Sequence, residues 1–141
     1  MSSANREWGE WLSPVPYLVP VRAGIMRTAS EVAFRDSVTR ATYVVPAGWA
    51  TDGASIPWWI ISLTGGIIDR WDPRTLRSAI VHDWMYSTHE LTWRESNALF
   101  YRSLRAEDWP DELARLYRRA VDSVFGWWSY YMRPVLPENR E

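Results

Sequence analysis

With 141 residues, 47% of them hydrophobic and 23% charged, the chain has the balance of one soluble globular domain, unlike a disordered or membrane-spanning chain. Its net charge of -1 offers no concentrated basic face, so no nucleic acid is indicated as a partner. The lack of cysteine excludes disulfides, thiolate catalysis and cysteine-ligated zinc.

Residues 1–15 read as an N-terminal arm with Trp8, Trp11 and Leu12 as anchors, closed by Ser13-Pro14-Val15-Pro16, which stops any helix. Arg6, Glu7 and Glu10 interrupt the apolar stretch that a secretory signal needs. Nowhere do enough apolar residues run together to span a bilayer, so neither a signal peptide nor a transmembrane segment is expected. One α+β domain is predicted over 16–133, followed by a tail at 134–141 that begins Pro134-Val135-Leu136-Pro137.

Between Pro16 and Pro46 the apolar residues fall in short β-branched runs, among them Val32-Ala33-Phe34 and Thr42-Tyr43-Val44-Val45. This pattern predicts a small antiparallel sheet or pair of hairpins, with a turn at Arg35-Asp36-Ser37-Val38. From Pro46 to Asp72 a glycine-rich loop is predicted. Three C-terminal helices complete the domain. The first is capped by Asp72 ahead of Pro73 and runs to about His89 on a Leu76, Ala79, Ile80, Trp84 ladder. The second starts at the capping box Thr92-Trp93-Arg94-Glu95 and runs to about Arg105. The third is the longest, with Leu113, Tyr117, Ala120, Val124, Trp128 and Tyr131 at helical spacing.

Eleven tryptophans are unusual, because each indole brings a large apolar area and one N–H that needs a partner. The adjacent pairs Trp58-Trp59 and Trp127-Trp128 put rings on different faces of one element. A protein neighbour, or a lipid or membrane surface, is therefore the expected second partner for some of them. All sixteen basic residues are arginine; Arg94, Arg102, Arg105, Arg115, Arg118 and Arg119 are expected on solvated helix faces.

His82 and Asp83 lie in the most apolar part of the first helix. An ionised Asp83 buried there must meet a metal ion, an arginine or several N–H donors. His82 and Tyr86 share one side of the helix, and a base at His82 beside a cation at Asp83 would suit hydrolysis. Asp52-Gly53 is a turn whose carboxylate and carbonyls suit calcium. Asn97 or Glu95 on the second helix is the candidate to orient His82. His89 lies two turns from His82, too far to share a metal.

The run Val45 to Pro57, containing Thr51-Asp52-Gly53-Ala54-Ser55-Ile56-Pro57, followed by His82-Asp83-Trp84-Met85-Tyr86, resembles a domain-of-unknown-function family of small phage and prophage proteins. That resemblance implies a bacteriophage gene product, a tail-associated virion or assembly component whose partners are other phage structural proteins, found in the virion or the host cytoplasm. The order of an Asp-Gly loop, His-Asp-x-x-Tyr and a helix with a polar residue three before Phe100 is also similar to bacterial-type phospholipase A2. That similarity implies His82 as general base, Asp83, Asp52 and the Gly53 loop as calcium ligands, and Tyr86 in the hydrogen-bond network. It differs at Asn97, where those enzymes carry an aspartate. A metal-dependent cell-wall hydrolase is the remaining reading; it needs three ligands on an open site, for which the sequence offers only the separated His82 and His89 and scattered carboxylates.

Overall fold

A computed structural model of the protein describes residues 7–52 and 72–140. Among the described residues six strands precede four α-helices: β1 (Gly9–Trp11), β2 (Leu18–Arg22), β3 (Ile25–Thr28), β4 (Val32–Asp36), β5 (Thr42–Val45), β6 (Ala50–Thr51), α1 (Pro73–Thr88), α2 (Trp93–Arg105), α3 (Asp111–Val121) and α4 (Val124–Tyr131). The class is α+β, as the order of patterns predicts. The strands form two antiparallel sheets of three, ordered β1-β4-β5 and β2-β3-β6.

Part of the expected arm is a strand. Gly9–Trp11 pairs with β4, Trp11 opposite Phe34, and the Trp11 ring packs on Phe34 with centroids 4.7 Å apart. Its indole N–H donates to the Ser103 carbonyl on α2, and the Arg77 guanidinium lies over its other surface. Both polar and apolar parts of the ring are thereby satisfied.

The main core lies between the β1-β4-β5 sheet and α1, where Val32, Phe34, Val45, Leu76, Ile80, Met85 and Leu99 meet. A second cluster, around Phe100, Leu104, Trp109, Tyr117 and Val121, joins α2 to α3. Asp36 ends β4 and opens the turn at 37–39, its carbonyl accepting the Arg40 N–H and its carboxylate the Thr39 N–H; the same carboxylate is buried against an Arg102 fork at 2.6 and 2.9 Å. Arg102 is thus not on a solvated face. Burial favours the neutral acid, but the fork and the Thr39 N–H outweigh it and hold Asp36 below the usual carboxylate range.

The third predicted helix is two helices. Ser123 is extended (φ -84, ψ 178), and the stripe that buries Tyr117 and Ala120 does not continue, because Val124, Trp128 and Tyr131 are exposed. The break frees the Val121 carbonyl, which in an uninterrupted helix would accept from residue 125. It accepts instead from the Trp93 indole N–H at 2.9 Å and the Asn97 amide at 2.9 Å. Gly126 permits the close return of α4: a Cβ there would stand 1.8 Å from the Val121 oxygen.

The segment after Arg133 docks on the sheet. Asn139 accepts from Ala50 N–H and donates to Ala50 C=O, both at 2.8 Å, serving the β6 backbone as a strand neighbour would. Glu138 pairs with Arg22 at 2.9 Å.

Candidate functional site

The first helix begins and ends as its sequence requires. Asp72 caps the Arg74 N–H, Pro73 occupies the first turn, and His89 closes the helix in the left-handed region with its N–H on Met85 C=O. Burying Leu76, Ala79, Ile80 and Met85 turns the adjacent stripe, with His82, Asp83 and Tyr86, toward a cavity of about 50 Å³. That volume has room for a few water molecules. Phe100, Tyr117, Val121 and Phe125 form its apolar wall, and Asp52 and Arg133 reach it from outside the helix.

Asn97 is fully buried on α2 and uses its whole hydrogen-bonding capacity. Its amide nitrogen donates to Val121 C=O at 2.9 Å and to the Asp122 carboxylate at 2.8 Å. Both partners are acceptors, so the amide nitrogen must face them and Oδ1 must face the other way. There Oδ1 accepts the Tyr86 hydroxyl at 2.6 Å and meets His82 Nε2 at 3.1 Å. With Oδ1 unable to donate, His82 carries its hydrogen on Nε2 and its lone pair on Nδ1. No hydrogen bond among the described residues engages Nδ1.

The His82 ring packs against Tyr86 (centroids 4.0 Å) and Phe100 (4.5 Å). This burial pushes its pKa down to about 4, against the pull of Asn97, so the ring is neutral at physiological pH. Burial also raises the Tyr86 hydroxyl, keeping it a hydrogen-bond donor.

Asp83 accepts the Trp49 indole N–H at 3.0 Å. Burial and then Asp52 push its carboxyl up to about 6, opposed by Trp49 and Arg133. Arg133 is paired with Asp52, so the compensation that a buried Asp83 demands comes from an indole N–H and a nearby guanidinium. The sequence calls for an arginine or N–H donors at Asp83 but singles out neither Trp49, in the stretch before the Asp-Gly turn, nor Arg133, the last residue before the tail.

The structure brings His82, Asp83, Tyr86, Asn97 and Asp52 together. Glu95 does not join them, because its carboxylate accepts the Thr92 N–H in the exposed capping box. Gly53, most of the Asp-Gly loop and Trp58-Trp59 lie outside the described residues. His89 is remote from the cavity, stacked on Tyr130 and bonded to its carbonyl. Calcium takes about six to eight oxygens, whereas the described residues offer two cavity carboxylates, one held by Arg133. Among the described residues no group of three or more His, Cys, Asp or Glu is placed to hold a metal. The Gly53 loop carbonyls that the calcium reading also invokes lie outside the described residues.

Residues 26–125 match the family model described as protein of unknown function (DUF1353), and the chain belongs to that family. It is 34% identical over 80 residues to the uncharacterized protein y4iH of Sinorhizobium fredii, covering 57% of this chain and 32% of that one. It is 28% identical over 111 residues to the uncharacterized protein y4jT of the same organism, covering 79% of this chain and 32% of that one. The chain thus spans about a third of the length of these curated relatives. No solved structure matches it. Among the described residues no helix is long and apolar enough to cross a membrane.

Proposed function

We propose that the chain is an acyl hydrolase, similar in its site to bacterial-type phospholipase A2, in which His82 is the general base. One observation carries this reading: Asn97 fixes the His82 hydrogen on Nε2 and leaves the Nδ1 lone pair to a residue lining a water-sized, partly apolar cavity. In the reaction Nδ1 takes a proton from water as the water oxygen bonds to the acyl carbon. The imidazolium then returns that proton to the departing alkoxide, breaking the ester C–O bond. Asn97 and Tyr86 orient the ring, and Arg133, paired with Asp52, lines the same cavity.

Fatty-acid release from phospholipid in mixed micelles tests this, with and without calcium, against His82→Ala. Turnover that disappears in the variant supports the reading, and equal release by both proteins overturns it. A strict calcium requirement would show that the Asp52–Arg133 pair opens to admit the ion.

A second reading has its own support. On α4 and at its C-cap, Val124, Trp127, Trp128, Tyr131 and Met132 are exposed, an apolar face suited to burial against a neighbour. This fits a tail-associated virion or assembly component of a phage or prophage. Mass spectrometry of purified particles tests it, and absence of the chain from them would overturn it.

A further inference from the structure

We propose that Asp122 is the carboxylate that orients His82, acting one link removed through the side-chain amide of Asn97. The proposal rests on the reading of His82 as base, and makes Asp122 a positioning residue for it.

Three hydrogen-bonded groups stand in line. His82 Nε2–H donates to Asn97 Oδ1 (3.1 Å), and Asn97 Nδ2–H donates to Asp122 Oδ1 (2.8 Å). An amide is conjugated, so a negative charge accepting at its nitrogen increases the electron density on its oxygen and strengthens the bond accepted there. The anion's influence reaches the imidazole without contact. Asp122 is itself held in place, by Arg94 of α2 at 3.3 Å and Arg118 of α3 at 3.7 Å. It is also available only because the chain leaves helical geometry between α3 and α4.

The same arrangement explains why residue 97 is asparagine. A carboxylate there would aim one oxygen at the Val121 carbonyl and the Asp122 carboxylate, three acceptors without a hydrogen among them. The donor side of an amide is required, and the negative charge is displaced by one residue. The other charged or titratable groups lining the cavity with His82 are Asp83 and Tyr86 of its own helix, Tyr117 of α3, and Asp52 and Arg133. None of these accepts from the Asn97 amide.

The test is nitrogen-15 NMR of the His82 ring, which reads hydrogen placement and protonation without any substrate. In the unaltered chain a single neutral form with hydrogen on Nε2 is expected; hydrogen on Nδ1, or a mixture, overturns the proposal. Asp122→Asn keeps the acceptor oxygen and removes the charge. It should lower the His82 titration midpoint by about half a unit to one unit, the difference between a charge-assisted and a neutral hydrogen bond. The same change should lower kcat about fivefold to tenfold with KM unchanged. An unmoved midpoint overturns the proposal even if Asp122→Asn is less stable.

Asn97→Asp alone should melt well below the unaltered chain. The double variant Asn97→Asp with Asp122→Asn should recover, because an amide again faces a carboxylate, and its His82 midpoint should rise above that of the unaltered chain. No recovery in the double variant overturns the proposal. Absence of ester turnover by the unaltered chain would instead overturn the hydrolase reading, leaving the NMR and melting results to decide the role of Asp122.

Discussion

Replacing Asn97 by leucine, a side chain of similar size, isolates what the buried amide holds together. The two acceptors it leaves are not stranded: Val121 C=O retains the Trp93 indole, and Asp122 retains Arg94 and Arg118. The two donors fare worse. His82 Nε2–H has no other bond among the described residues, and the Tyr86 hydroxyl has only Val121 C=O, at 3.5 Å. Each orphaned buried donor costs about 1–3 kcal/mol, so Asn97→Leu should destabilise the fold by about 2–6 kcal/mol. That is a large part of the roughly 5–15 kcal/mol expected of a whole domain. Tyr86→Phe removes one of the orphans, so the double variant should cost less than the sum of the singles by about 1–2 kcal/mol. Urea titrations at pH 7, followed by tryptophan fluorescence, measure all three. A cost for Asn97→Leu below about 1 kcal/mol, or strict additivity with Tyr86→Phe, would refute the network.

His82 and Asp83 act on stability in opposite senses. His82 titrates near 4 in the fold and 6.5 when unfolded, so below the unfolded value the unfolded chain binds more protons and stability falls as pH drops from about 6.5 to 4. Asp83 titrates near 6 in the fold and 3.8 when unfolded, so its contribution is lost as pH rises from about 3.8 to 6. Relative to the unaltered chain, Asp83→Asn should therefore lose more stability between pH 6 and 4, and His82→Gln should lose less; denaturant midpoints at intervals across that range check both signs. Gly126→Ala should cost roughly 1–3 kcal/mol or more by forcing α4 off the Val121 carbonyl, and it should also disturb the His82 ring spectrum. Asn139→Ala removes both bonds to Ala50 and should cost about 1–3 kcal/mol in thermal melts, with the Trp49 environment perturbed alongside.

Signals confined to a few neighbouring residues were legible. Asp72-Pro73, the Thr92–Glu95 box and the β-branched runs of β4 and β5 state their structure locally, and the structure follows them. Asn97 and Glu95 were both legible as polar residues on the helix after His82, and the sequence alone does not choose between them. The break at Asp122-Ser123 was not, because neither residue forbids a helix and the apolar spacing runs straight through. What decides it is tertiary: Trp93 and Asn97 compete for the Val121 carbonyl, and Gly126 lets α4 fold back. Asp36 with Arg102 and Asp52 with Arg133 were equally hidden, since 66 and 81 residues separate the partners. Trp49 carries no mark distinguishing a structural indole from one that holds a carboxylate.

Helix ends ordinarily fray independently of the rest of a protein. The last carbonyl of α3 is different, because the Trp93 ring and the Asn97 amide are both fastened to it. Opening of that terminus must release the groups that hold the imidazole. Amide hydrogen exchange at the end of α3 and loss of the ring's fixed hydrogen should therefore occur as one cooperative event, making the lifetime of the organised site the lifetime of a single turn of helix.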